Sequence, residues 1–481
     1  MTTRFRGLLG SLLLIHAASA MAETYSDQLP SLGDASGRII SPTQDRALGA
    51  AFMRQLRQSG AILNDQEANS YLEALGRRLV ARSENPTKDF TFFLVNDSGI
   101  NAFAGPAGHI GINTGLFLAA ESESELAAVL AHEIAHVTQL HLARSFEAAD
   151  KMSIPRIAAL VAAILIGTQN GEAGAAALTA ASAASLQYQI NFTRANEEEA
   201  DRIGIQTLAN ANFDPNGMAG FFGRLQKNSR LYGARPPEFL STHPVTTNRI
   251  SEAISRAESY PEIDVAPDLD FLLLQAKLRV SSYDNSSQVL ADVLRYKGKA
   301  GGDTAVERYE LALLLAANNK LDEARDVIEQ LHKSDPDRIA YRLALASILH
   351  QGKHIEAALG IYASSLSLYP DNPTVILPYA STLLSAGQAE TAFKLLAHAS
   401  DKHPLDPEMY KLLARAAAAS GRNIQTHTAI AQYYFLNGYT TQAIEQLRIA
   451  EKQKGISDYQ SASIQAGINN LQSILDAEKL E

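Results

Sequence analysis

The chain has 481 residues, and 46% of them are apolar, enough for two or three domains with cores of their own. A formal net charge of −10 argues against a general nucleic-acid binder, so nucleic acid is left out of the expected partners. There is no cysteine, hence no disulfide framework and no thiol nucleophile.

The first residues read as a secretory signal peptide. Arg4 and Arg6 make a positive start, and Gly7 to Ala18 is an apolar core too short to span a membrane. Ala20-Met21-Ala22 is a small-x-small cleavage site, so the mature chain is expected to begin at Glu23. A secreted chain without cysteine fits a bacterial periplasm.

The next informative stretch is His132-Glu133-Ile134-Ala135-His136, an H-E-x-x-H motif. Leu126 to Ala131 before it and Val137 and Leu140 after it make a largely apolar helix, and Ser122 with Glu125 resembles a capping box at its start. On a helix the two imidazoles lie on one face, spaced to hold one metal ion. Glu133 projects roughly 100° away, within reach of a water at that ion. Burying two His and a Glu without partners is costly, which favours a metal site over a solvated helix face.

Ile157 to Gly167 is an apolar run of eleven residues, about 16 Å as a helix and half a bilayer. An Ala- and Gly-rich stretch continues to Leu186. It reads as buried connecting helices, with a lid or a peripheral membrane contact as the functional alternative. Beyond it, Asn196-Glu197-Glu198-Glu199-Ala200-Asp201 on a helix puts Glu197 and Asp201 on one face. Glu197 is the expected third metal ligand. Asp201 is the expected acceptor for the non-metal nitrogen of a ligating His.

Ser259 to Asp270 reads as a hinge, and the remainder is periodic. Pro336, Pro370 and Pro404 recur every 34 residues, as do Ala324, Ala358 and Ala392, and Ala312, Ala346, Ala380 and Ala414. Leu311, Leu345, Tyr379 and Leu413 give a matching large row. That is the period and small-residue pattern of tetratricopeptide repeats, which stack into an α-solenoid with a concave binding face. Leu269 to Lys299 is expected as a degenerate first repeat, and Ala431, Gly438 and Ala443 mark a further one out of phase. The expected boundaries are 1–22 for the signal peptide, 23–262 for the hydrolase domain and 263–481 for the repeats.

H-E-x-x-H followed by E-x-x-A-D resembles the M48 family of zinc metallopeptidases, which includes the CAAX prenyl proteases and HtpX. Two further stretches are similar to that family. Asn101-Ala102-Phe103-Ala104-Gly105-Pro106 with His109 to Leu116 reads as strand, turn and strand before the zinc helix, and its edge suits an extended peptide. Thr242-His243-Pro244 with Arg249-Ile250 resembles the family's closing element. The resemblance implies a mainly α, zincin-like (gluzincin) peptidase domain with a small β-sheet, ahead of the repeats. It implies one zinc ion per chain, held by His132, His136 and Glu197, with Glu133 as catalytic base and Asp201 behind a ligand. Asn101, Ala102, Phe103 and Ala104 would bind substrate. His243 would stabilise the oxyanion or take zinc's fourth position and make the enzyme latent. Arg249 would be a transition-state cation or a partner for nearby acids. The multi-span topology of the CAAX proteases is absent, and with it any reason to expect prenylated substrates. A subgroup with a signal peptide, a soluble M48 domain and C-terminal repeats is associated with outer-membrane protein assembly. Similarity to it implies a periplasmic metalloendopeptidase, free or peripheral at the outer membrane, with misfolded or unassembled outer-membrane proteins and the barrel-assembly machinery as partners. The competing expectation is mainly a chaperone or adaptor with a latent zinc site.

Overall fold

A computed structural model describes residues 41–142, 194–232, 238–263, 265–296 and 304–479. The signal-peptide reading and the apolar stretch 157–186 lie outside the described residues. Two helices open the described chain, α1 (Pro42–Gln58) and α2 (Gln66–Val80). Ser41 and Gln44 close a capping box on α1, with Pro42 supplying a preset first-turn φ. Asp65 caps α2. A three-stranded sheet follows: β1 (Thr91–Val95), β2 (Ala102–Ala104) and β3 (His109–Asn113). β3 lies in the middle, parallel to β1 and antiparallel to β2, so β2 is an edge strand.

After the short α3 (Thr114–Ala119) comes α4 (Glu123–Thr138), which carries the H-E-x-x-H motif. Every residue of α4 from Glu123 to Val137 is buried, as its largely apolar circumference requires. α5 (Arg194–Asn210), α6 (Asn216–Tyr232), α2 and β2 enclose it. The capping box expected at its start is only half formed. Ser122 accepts the Glu125 N–H, but the Glu125 carboxylate accepts from Glu121 N and pairs with Arg224. The arginine on α6 offers Glu125 a stronger, charged partner than the cap backbone does. α7 (Glu238–Thr242) and α8 (Thr247–Ala257) complete this part.

The rest is helical hairpins: α9 (Leu269–Ser281), α10 (Ser286–Tyr296), α11 (Ala305–Ala317), α12 (Leu321–Ser334), α13 (Ile339–Gln351), α14 (Ile355–Leu368), α15 (Pro373–Ser385), α16 (Ala389–Lys402), α17 (Pro407–Ala419), α18 (Asn423–Leu436), α19 (Thr440–Glu451) and α20 (Asp458–Lys479). The periodic alanines sit where the helices press closest: Ala312, Ala346, Ala380, Ala324, Ala358 and Ala392 are all fully buried. Asn319, Lys353, Gly387 and Gly421, again 34 residues apart, all take positive φ in the turn between the two helices of a repeat. Of the tyrosines on these helices, Tyr341 and Tyr362 belong to the core, while Tyr379, Tyr410, Tyr433 and Tyr434 are half-buried.

α9 serves both halves. Phe271, Leu274 and Leu278 pack into the core around α4, and Leu273 and Ala276 pack into the repeat core. Gln275 Nε2 donates to the carbonyls of Phe117 (3.0 Å) and Ala120 (2.7 Å). The solenoid then curls back onto the first helices. Arg57 Nη1 and Nη2 donate to Leu436 O and Leu405 O at 3.3 and 3.1 Å. Thr374 Oγ1 lies 3.0 Å from Ser70 Oγ, and Lys277 bridges Asp65 and Glu67.

Candidate metal centre and active site

α4 and α5 cross with their backbones close together. A Cβ on Gly204 would lie 3.2 Å from His132 N and 3.3 Å from His132 Cα, tighter than most such contacts, so glycine eases this approach. The crossing sets Glu197 and Asp201 opposite the two histidines. α7 and the turn after it bring His243, whose ring stacks on Phe239.

Four side chains converge: His132, His136, Glu197 and His243 offer donor atoms all within 4.8 Å of one another, and all four residues are buried. His132 Nε2 lies 3.0 Å from His136 Nε2 and 3.4 Å from His243 Nδ1. Glu197 Oε2 is 3.5 Å from His132 Nε2, and Glu197 Oε1 is 3.5 Å from His136 Nε2 and 3.0 Å from His243 Nδ1. Tetrahedral coordination at bond lengths near 2.1 Å sets ligand atoms about 3.4 Å apart, so the donor set fits one small divalent ion. The Glu133 carboxylate adjoins the cluster, buried, with neither oxygen hydrogen-bonded; His243 Nε2 is 3.6 Å away. The backbone N–H of Ala104, on the edge strand, faces it.

A charged layer backs the cluster. His132 Nδ1 faces Asp201 Oδ1 at 3.0 Å. Arg249 clamps Asp201 with Nε at 2.6 Å and Nη2 at 2.8 Å, and reaches Glu197 Oε2 with Nη1 at 2.9 Å. Of the two roles foreseen for Arg249, this geometry is that of a partner to the acids. Its guanidinium also lies over Phe222. Burial opposes charge on His132, but hydrogen bonds to Asp201 and Glu197 outweigh it and raise its pKa to about 9. Burial likewise opposes charge on Asp201, yet Arg249 and His132 hold its carboxyl low. Burial also works against an ionised Glu197, but His243 and the hydrogen bond from His132 hold it well below the usual range. Burial raises the pKa of Glu133, the direction a general base needs.

Asn101, Ala102, Phe103 and Ala104 are buried, and the last three form β2. Asn101 Oδ1 accepts from Ala102 N, a local bond. Where β2 ends, a cavity of about 530 Å³ opens beside the cluster, lined by Leu48, Ala104, Gly105, His136, Val137 and Leu140 among others. His141 and Glu199, absent from the sequence-based expectations, lie in the same neighbourhood: His141 Nδ1 is 2.8 Å from His136 Nδ1. The one sequence signal for His141 is a third histidine five residues beyond the motif.

Residues 66–257 match the family model for peptidase family M48, and residues 349–416 match a tetratricopeptide-repeat model. The chain is 47% identical over 259 residues to a putative beta-barrel assembly-enhancing protease of Vibrio cholerae, a match covering 54% of this chain and 53% of that one. It is 37% identical over 326 residues to the Escherichia coli K12 beta-barrel assembly-enhancing protease, covering 67% and 66%. With the Yersinia pestis beta-barrel assembly-enhancing protease it shares 36% identity over 475 residues, 97% of each chain. The chain belongs to peptidase family M48. α4 and α5, which bring the donor cluster together, lie inside the segment matched to the family. No helix among the described residues is long and apolar enough to cross a membrane.

Proposed function

We propose that this protein is a periplasmic zinc metalloendopeptidase that cuts misfolded or stalled proteins. Its clients would be outer-membrane β-barrel precursors, and it would also assist barrel assembly. The observation that carries the peptidase reading is the donor cluster of His132, His136, Glu197 and His243 with the buried Glu133 carboxylate beside it. The names of the relatives support the barrel clients. The sequence of residues 1–22, which reads as a signal peptide, supports the compartment. The repeats supply a surface for clients or for the barrel-assembly machinery.

His132, His136 and Glu197 would hold the zinc, with residues 23–262 as the peptidase domain and 263–481 as the repeat domain. A zinc ion there supplies Lewis acidity to a peptide carbonyl and acidifies a water. Glu133 takes the proton of the attacking water on a carboxylate oxygen and passes it to the leaving amine. The edge strand β2, with Asn101 just before it, would order the substrate backbone as an added strand. The cavity beyond Ala104 receives a substrate side chain. Asp201 fixes the His132 tautomer, and Arg249 fixes Asp201.

His243 supports a second feature, latency. Its Nδ1 sits among the other three donors, the position an incoming water needs. We therefore propose that His243 would serve as a fourth ligand in the resting state and would have to swing away to admit a water. Glu133→Gln tests the chemistry: the variant is expected to keep zinc and fold but to lose cleavage of an unfolded client. Cleavage at the wild-type rate sinks the mechanism. His243→Ala is expected to raise cleavage; a fall returns His243 to oxyanion stabilisation alone.

A further inference from the structure

Leu140, just past the end of α4, has φ +56. A non-glycine residue takes that left-handed conformation at a cost of roughly 1–2 kcal/mol. The reversal carries His141 back against the helix it has just left. The ring is fully buried, with Nδ1 2.8 Å from His136 Nδ1 and Nε2 3.1 Å from Glu199 Oε2 on α5. The Glu199 side chain is 36% exposed, so the chain of contacts runs from the donor cluster to solvent.

The neighbours settle where the protons lie. His136 turns Nε2 into the cluster, 3.0 Å from His132 Nε2, and a ligating nitrogen must keep its lone pair. The proton of His136 is then on Nδ1 and is donated to Nδ1 of His141. His141 in turn carries its proton on Nε2 and donates it to the Glu199 carboxylate. The other arm of the site is built differently. His132 faces a buried carboxylate, Asp201, whose charge Arg249 balances. Behind His136 an imidazole does the orienting, and the Glu199 carboxylate sits one step further out, where water reaches it. Two buried carboxylates behind two ligands would need a second Arg249; the imidazole removes that need.

We propose that His141 is a positioning residue: it fixes the tautomer and ring direction of His136, and Glu199 anchors it. The proposal rests on the reading of His136 as a metal ligand. The test uses the full-length chain, stripped of metal and titrated with zinc against a competing chelator, then loaded with cobalt(II) for its visible spectrum. His141→Phe fills the space but accepts no hydrogen bond. It is expected to bind zinc about 10–100-fold more weakly and to shift the cobalt absorption bands. His141→Gln offers an oxygen to His136 and an N–H to Glu199, and is expected to recover most of the affinity. Glu199→Ala is expected to show an intermediate loss. Zinc affinity of His141→Phe within twofold of wild type, with an unchanged cobalt spectrum, overturns the proposal. Should His141→Phe fail to fold without metal, the outcome rests on Glu199→Ala, where unchanged affinity overturns it. A wild-type chain that takes up no zinc overturns the metal-site reading as well; one that does, beside an unimpaired His141→Phe, overturns this proposal alone.

Discussion

Arg249→Met is the sharpest test of how the site is held together. Arg249 is 4% exposed, and its guanidinium meets Asp201 twice and Glu197 once, with a further bond to Pro244 O at 2.9 Å. Methionine keeps much of the stem's volume and its packing on Phe222. What it removes is the charge, leaving two buried carboxylates with the imidazoles as their counter-charge. Breaking a buried pair in this way costs about 3–5 kcal/mol. A chain with two cores need not unfold in one step, so the readout is local: native-state hydrogen exchange of the backbone amides of α5 and α8 in the metal-free protein. Their protection is expected to fall by about two to four orders of magnitude. Arg249→Met with Asp201→Leu removes both charges, and the pair of changes is expected to cost well under the sum of the singles. A fall in protection of less than about tenfold, or additive singles, refutes the account of Arg249 as the counter-charge of this layer.

Two further outcomes follow from the geometry. Gly204→Val places methyls against the backbone of His132, and is expected to cost about 1–3 kcal/mol and to weaken zinc binding by more than tenfold, as measured by calorimetric titration; binding equal to wild type would show that the α4–α5 crossing has slack. Burial, and then the nearby Arg57, lower the pKa of His109 to about 4. Between about pH 6.5 and 4 the unfolded chain therefore binds a proton that the folded chain refuses, and stability is lost as the pH drops through that window, by about 1–3 kcal/mol. His109→Gln is expected to flatten this part of the curve of urea midpoint against pH, and parallel curves for variant and wild type would exclude the effect.

Much of the site was legible because its signals are local. A ligand pair on one helix needs a spacing of four, and Glu197 and Asp201 need the same spacing on the next. The repeats were legible because a stacked helix pair has one length, and its tight contacts accept only small side chains. The unread parts depend on contacts between distant segments. Gly204 has no meaning until α5 is laid across α4. Glu125 reads as the second half of a capping box until Arg224 arrives from α6. His141 is one more histidine until Leu140 reverses the chain. Arg57 and Thr374, more than three hundred residues apart, join the two halves through hydroxyl and carbonyl contacts that leave no pattern in either segment.

α9 has a consequence for how the molecule is made. Phe271, Leu274 and Leu278 fill part of the core around α4, although they follow the peptidase segment in the chain. A chain delivered N-terminus first therefore cannot finish packing around α4 until residue 278 has arrived. By then the next residues are already those of the solenoid. The last of the core around α4 is thus laid down only as the solenoid begins to arrive, and a nascent chain halted before α9 would hold the donor cluster on an incompletely packed support. For a metallopeptidase, that delay keeps the candidate site unfinished until the repeat segment is being supplied.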